Sequence, residues 1–289
     1  MVERIIIYGL ISGGVYALLA VGFSLIFGVA RIINLAHTAF YMLAAYLIFT
    51  FANSLGLPLA LSVVLSIVAV IIIGIFSYRL LIDPVRGHET TILIVTIALA
   101  IIIQEAILRA YGGGFLSVPS IISGYVRIWG TKVLYQQILT FGAVLVILLC
   151  VWALLMRTRL GIAIRATAQD REVSNLMGIN VARTGMIAMA ISVALAAIAG
   201  ALVAPLQVLG PHMWTHPLVM VLAVVVLGGL GSIKGSLIGA FMLGFSETLV
   251  VFLAPSGAYL KTAVALAVML IVIMIRPQGL FGVSFEEER

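Results

Sequence analysis

Few side chains in this sequence could do chemistry inside an apolar segment, and Glu247 is the most informative of them. It lies within Phe245-Ser246-Glu247-Thr248-Leu249, and no cation stands at helical spacing from it. A carboxylate inside a membrane span is costly and needs either a partner on another helix or a water-filled cavity. Glu247 is therefore predicted either to face a transport pathway or to have a buried packing or hydrogen-bonding role.

The other ionisable residues near apolar segments have simpler explanations. Glu105 and Arg109 are four residues apart, so we expect them to pair along one helix near the outer interface. His212 and His216 have a spacing suggestive of a metal pair, but two ligands fall short of a metal site, and Pro217 follows directly. A surface loop is the favoured interpretation of this pair, and no metal site is expected.

Sequence motifs of enzymatic chemistry are absent. No G-x-x-x-x-G-K-[ST] phosphate-binding loop occurs, since Gly231–Ser236 shares its residue types but not its spacing. There is also no H-E-x-x-H motif, no Cys/His metal cluster and no G-x-S-x-G nucleophile elbow. The chain is thus predicted to have no catalytic residues, no ATPase site and no cofactor of its own.

Composition indicates the solvent that surrounds these residues. Apolar residues make up 64% of the 289 residues and charged residues 9%, and the mean hydropathy is +1.29. Soluble domains carry about 25% charged residues, so lipid is the simplest environment for this chain. We attribute the net charge of +6 to loops on the cytoplasmic side and not to binding of nucleic acid.

Apolar segments of membrane length predict a helical bundle. A helix crosses a hydrocarbon core of about 30 Å with about 20 apolar residues. Such segments run near 5–28, 57–78, 91–111, 134–156, 184–209 and 258–275, and shorter or glycine-broken ones near 38–52, 217–231 and 235–253. The predicted fold class is all-α, a polytopic transmembrane helical bundle of eight or nine spans with broken or half-helices, forming a single domain over residues 1–289.

One hydrophilic stretch, residues 157–183, orients the chain. It contains Arg157, Arg159, Arg165, Arg171 and Arg183 against only Asp170 and Glu172. Loops rich in arginine and lysine stay on the cytoplasmic side of a membrane. This stretch is therefore predicted to be cytoplasmic, and the N-terminus external.

Two interruptions of the apolar segments, one in each half of the chain, are candidates for a transport site. The first break spans residues 31–38 and the second spans 228–236. Unwound backbone exposes amides and carbonyls to a cavity, and paired breaks are the best sequence indication of a binding site, although an ordinary loop between two helices remains the alternative. The candidate pathway residues are Asn34, His37, Thr38, Gly229, Gly231, Ser232 and Glu247.

Four stretches in order resemble one known family. They are Ile33–His37 after Gly13–Leu18, Arg165–Asn180 running into Ala196–Gly200, Gly228–Ser232 with Gly235 and Gly239, and Arg276–Gly282. In order and spacing they resemble the smaller, H-type permease of branched-chain amino-acid ABC importers. The similarity covers nearly the whole chain.

The resemblance implies a multi-pass protein of a bacterial or archaeal cell membrane that translocates branched-chain or related small or hydrophobic amino acids. Its implied partners are a second permease subunit, two cytoplasmic ATPase subunits that use ATP, and an external solute-binding protein. A coupling segment within residues 157–183 would dock into the ATPase through Ala166, Ala168, Asp170, Gly178, Ile179 and Asn180. An ion-coupled secondary amino-acid transporter is the alternative, but it needs several mid-membrane ionisable groups, and only Glu247 qualifies clearly.

Overall fold

The computed structural model describes residues 2–128, 130–254 and 257–281, most of which lie in helices. The helices are α1 (Val2–Ala30), α2 (His37–Phe49), α3 (Leu59–Ser77), α4 (Glu89–Tyr111), α5 (Tyr135–Arg157), α6 (Arg159–Gln169), α7 (Arg171–Leu176), α8 (Val181–Val203), α9 (Thr215–Gly228), α10 (Ile233–Leu253) and α11 (Gly257–Ile275). Two π-helical turns (Thr50–Ser54 and Tyr78–Ile82) and a 3-10 turn (Asp83–Val85) extend α2 and α3. Strands β1 (Tyr125–Ile128) and β2 (Thr131–Leu134) pair as an antiparallel hairpin.

Helices of membrane length dominate the fold. Seven of the described helices are long and apolar enough to cross a bilayer, and α9 is a shorter apolar helix. At about 1.5 Å per residue, α9 spans about 21 Å, which is less than a hydrocarbon core of about 30 Å. The prediction of a polytopic helical bundle with short, broken helices is confirmed, and the β1–β2 hairpin is a small addition that the sequence analysis did not predict.

The second predicted break separates two helices. Helix α9 ends at Gly228, and the side chain of Ser232 caps α10 by accepting a hydrogen bond from the N–H of Gly235 at 3.1 Å. The two helices meet directly at their glycines, because a Cβ atom on Gly235 would overlap the carbonyl oxygen of Gly228. Close approach of two backbones in a membrane requires such small residues.

Two residues that follow α11 form hydrogen bonds with the last carbonyl groups of α9. The N–H groups of Leu280 and Phe281 donate hydrogen bonds to the carbonyl oxygens of Leu227 and Gly228, at 2.8 and 3.0 Å. The last carbonyls of a helix have no partner inside that helix, so this distant part of the chain satisfies them. Of the Arg276–Gly282 stretch, Gly282 lies outside the described residues.

Helix α1 is the centre of the bundle. It contacts α5, α6, α8, α9 and α10, and its second half is almost entirely buried. The hydroxyls of Ser24 on α1 and Ser236 on α10 are hydrogen-bonded at 2.5 Å. In lipid, helices associate through packing and such interhelical hydrogen bonds, so α1 holds together the elements that carry both breaks.

The polar stretch 157–183 folds into short helices with defined starts. The N-cap residues of α6, α7 and α8 are Thr158, Asp170 and Asn180. Their side chains accept hydrogen bonds from backbone N–H groups of the first turns, at 3.0, 3.0 and 2.9 Å. Side chains of this kind satisfy the unpaired first-turn N–H groups of a helix. Helix α6 buries Ile164 and Thr167 and contacts α1. The stretch is therefore a structured layer on one end of the bundle.

Candidate translocation and coupling site

Glu247 lies at the centre of a buried polar cluster that joins four helices. Its side chain on α10 is only slightly exposed, and Oε2 accepts a hydrogen bond from the hydroxyl of Tyr16 on α1 at 2.6 Å. Oε1 lies 3.0 Å from Nζ of Lys261 on α11 and 3.5 Å from Nε2 of His216 on α9. Glu247 therefore has side-chain partners on three other helices, α1, α9 and α11.

Sequence reasoning missed the partners of Glu247. Lys261 is the single cation of the apolar segment predicted at 258–275, and that isolation was the signal that could have identified it. His216 lies in the first turn of α9 and not in a surface loop, because α9 begins at Thr215. No group of three or more His, Cys, Asp or Glu side chains that could hold a metal ion occurs in the described part of the chain.

The first break places its polar residues inside the bundle. Asn34, His37 and Thr38 are fully buried. The ring of His37 lies between α1 and α8, with Nε2 3.0 Å from the carbonyl oxygen of Leu19 and Nδ1 3.2 Å from the hydroxyl of Ser192. The structure thus brings the first break against α1 and α8.

Buried polar atoms at the first break differ in their partners. The side-chain oxygen of Asn34 accepts a hydrogen bond from the N–H of Ala36 at 3.1 Å, just before α2 begins. The hydroxyl of Thr38 has no hydrogen-bond partner among the described residues. An unsatisfied buried hydroxyl is rare and costs free energy, so Thr38 is the one residue of this break with an unused polar group.

The second break and the predicted coupling segment share a cavity. It has a volume of about 210 Å³, and Gly231 and Ser232 line it together with Ala168 of α6. Gly28, near the end of α1, also lines it. Ala168, which is predicted to couple the chain to the ATPase, therefore lines the same cavity as Gly231 and Ser232, which are predicted to form the pathway. Gly229 stands apart from this cavity and lies against Gly279.

The predicted coupling segment contains a tight turn at Gly178. Helix α7 ends at Leu176, and Gly178 follows with φ of +84°. The N–H groups of Gly178 and Ile179 donate to the carbonyl oxygens of Asn175 and Ser174, both at 3.0 Å. This left-handed glycine after a helix C-terminus is a common helix stop. Asp170 and Asn180, predicted as coupling residues, additionally cap α7 and α8.

A larger cavity lies beside this turn. Its volume is about 540 Å³, and Gly178, Ile179 and Asn180 line it together with Arg86 and Arg171. Burial and the nearby Arg86 guanidinium lower the pKa of Arg171. Desolvation disfavours the charged form of a base, and so does a second cation nearby. The turn therefore borders a concentration of positive charge.

The chain is similar to known permease proteins over most of its length. A family model described as "Branched-chain amino acid transport system / permease component" matches residues 5–273. The "High-affinity branched-chain amino acid transport system permease protein BraD" of Pseudomonas aeruginosa is 31% identical to this chain, over 96% of this chain and 94% of BraD. The corresponding permease protein LivH of Escherichia coli is 30% identical, over 95% and 93% of the two chains.

One solved structure has a similar fold. It is "PsaBC from Streptococcus pneumoniae in complex with Fab", which superposes with a TM-score of 0.51 at 17% identity and covers 94% of this chain and 91% of that one. The family match extends across both breaks, the coupling segment and the Glu247 cluster. With seven helices of membrane length, the protein is a multi-pass membrane protein. The chain belongs to the family of permease components of branched-chain amino acid transport systems.

Proposed function

We propose that this chain is one membrane-spanning subunit of an ABC importer that translocates branched-chain or related small or hydrophobic amino acids. Family membership supports the transport role, and the branched-chain amino acid transport named for BraD and LivH supports the substrate class. The proposed assembly contains a second permease subunit, two cytoplasmic ATPase subunits and an external solute-binding protein. ATP is hydrolysed by the ATPase subunits, and this chain uses no cofactor of its own.

The observation that carries the proposal is the shared cavity of about 210 Å³ between α6 and the second break. A displacement of α6 by the ATPase would press on this cavity, where Ala168 faces Gly231 and Ser232. Because Ser232 also caps α10, its displacement would move the start of the helix that carries Glu247. In this proposal, Ala166, Ala168, Asp170, Gly178, Ile179 and Asn180 transmit the motion of the ATPase to the bundle.

Transport by the assembled importer tests the proposal. The chain is reconstituted in proteoliposomes with a second permease subunit, the ATPase pair and the binding protein. We expect uptake of radiolabelled leucine that requires ATP, persists when ionophores collapse the ion gradients, and exceeds the uptake of ribose. Uptake that continues without ATP and stops with the ionophores would instead identify an ion-coupled transporter.

The proposed pathway follows the two breaks and the Glu247 cluster, through Asn34, His37, Thr38, Gly229, Gly231, Ser232 and Glu247. Support comes from the unsatisfied hydroxyl of Thr38 and from the cavity at Gly231 and Ser232. Amides and hydroxyls near unwound backbone are the groups from which transport sites are built in membranes.

Cysteine labelling checks the pathway. In a Cys150→Ala background, which removes the exposed native thiol, Thr38→Cys and Ser232→Cys are expected to react with a small water-soluble thiol reagent during ATP turnover. Val146→Cys is the control, because Val146 is exposed on the apolar surface of α5, where lipid excludes such a reagent. Equal labelling at Val146 and at the two breaks would contradict a wet path along the breaks.

A further inference from the structure

Arg86 borders the cavity of about 540 Å³ beside the predicted coupling turn and carries buried donors that lack acceptors. Nε and Nη2 of Arg86 are buried and have no hydrogen-bond partner within the described residues. The remaining nitrogen, Nη1, lies 3.4 Å from Oδ1 of Asp83, whose side chain is 44% exposed. A guanidinium presents five donors in a fixed fork, and buried donors are normally paired. Arg86 therefore lacks an acceptor on the side that faces α8.

A second unpartnered donor lies at the same place. The hydroxyl of Tyr78 is buried and has no partner among the described residues. Arg86 and Tyr78 meet over Gly185, since a Cβ atom there would lie 3.0 Å from the Tyr78 hydroxyl and 3.1 Å from Nη2 of Arg86. Because Gly185 has no side chain, both donors pack closely against the backbone of α8.

The start of α8 also makes the lining of the cavity electropositive. Val181 and Ala182, the first residues of the 23-residue helix α8, line it. First-turn N–H groups have no acceptor inside a helix, and the helix dipole makes this end positive. Arg171 adds a second guanidinium, of which Nη1 donates to the carbonyl oxygen of Ala30 at 3.2 Å. Glu172 is the one acid among the lining residues.

We propose that this cavity binds a phosphate group, supplied by the headgroup of an anionic lipid of the cytoplasmic leaflet. A phosphate carries several acceptor oxygens and matches both the guanidinium fork and a helix N-terminus. Basic pockets between transmembrane helices at the cytoplasmic surface are the usual form of such lipid sites.

The position of Arg86 favours a lipid as the source of the phosphate. Arg86 follows directly on the membrane-length segment Leu59–Val85, so it lies at the level of the headgroups. Phe76 and Leu80, in the second half of this segment, are 64% and 58% exposed and offer apolar surface to an acyl chain. A bound phosphate would connect Arg86, in the connection between α3 and α4, to Arg171 and Asn180 of the coupling segment. The inference is independent of which amino acid is transported.

Native mass spectrometry of the purified permease in a neutral detergent tests this site. With equal amounts of phosphatidylglycerol and phosphatidylcholine, we expect the wild type to retain phosphatidylglycerol. Occupancy should fall at least about tenfold in Arg86→Gln and in Arg171→Gln, which equals a loss of about 1.4 kcal/mol for one charge-assisted contact. Arg79→Gln is the matched control, because Arg79 lies exposed in the same π-helical turn as Tyr78 but does not line the cavity.

Three outcomes would overturn the proposal. One is equal retention of the two lipids, and another is an equal loss of phosphatidylglycerol in Arg79→Gln. The third is binding of inorganic phosphate alone that Arg86→Gln abolishes while lipid retention is unchanged, because the site would then hold a free ion. If Arg86→Gln does not fold, Arg86→Lys keeps the charge without the fork and should give intermediate occupancy.

Discussion

Replacing Gly235 by valine is expected to destabilise the folded permease strongly, by about 3 kcal/mol or more. The new Cβ would overlap the carbonyl oxygen of Gly228, a backbone atom that cannot change rotamer to make room. Overpacking of ordinary cores costs about 1–3 kcal/mol of stability. A clash with fixed backbone is expected to cost at least the upper value of this range. For a chain of this size, about 3 kcal/mol corresponds to a loss of roughly 10 °C in melting temperature.

Thermal melting of the detergent-solubilised protein, followed by size-exclusion fluorescence, measures this effect. Gly142→Val is the control, because Gly142 also lies within a membrane helix but its Cβ would meet no atom within 4 Å. A Gly235→Val protein that melts together with Gly142→Val would show that α9 and α10 do not meet at their glycines.

Replacing Gly178 by valine is expected to uncouple ATP hydrolysis from transport while the bundle stays folded. Gly178 has φ of +84°, which costs an L-residue about 1–2 kcal/mol. A Cβ there would meet no atom within 4 Å, so the variant strains the turn without a steric clash. If the turn docks on the ATPase, this strain weakens the affinity of the turn for the ATPase by about tenfold. The rate of leucine uptake should then fall by a similar factor.

The reconstituted importer gives both readouts, ATP hydrolysis and leucine uptake. Gly56→Val provides the matched control, since Gly56 has φ of +65° and equally free surroundings but lies far from the coupling segment, between α2 and α3. Uptake at the wild-type level in Gly178→Val would remove this turn from the coupling mechanism.

The helices and their interruptions could be predicted because they depend on local sequence. Apolar length determines a membrane span, and the glycines at 228–231 determine where α9 stops. The predicted segment 184–209 was too long, because α8 ends at Val203, shortly before Pro205. Apolar composition alone does not indicate where a helix ends, because a proline and the loop after it can be as apolar as the helix.

The partners of buried polar groups could not be predicted, because they come from helices far apart in the chain. The sequence predicts that Glu247 needs a partner or a cavity, but its contacts with Tyr16 and Lys261 depend on how α1, α10 and α11 pack. The same holds for Arg86 and Arg171, which one cavity brings together. Asp170 and Asn180 were selected by resemblance to a family, whereas their capping of α7 and α8 is a local feature that the sequence analysis overlooked.

The hydrogen bonds from Leu280 and Phe281 to the end of α9 have a consequence for biogenesis. A ribosome finishes α9 well before it reaches these residues, because α10 and α11 are synthesised in between. During that interval the carbonyls of Leu227 and Gly228 depend on water or on the insertion machinery. Assembly of the second break is therefore a late, post-insertion event, and a nascent chain arrested before residue 280 should hold α9 in an unfinished state.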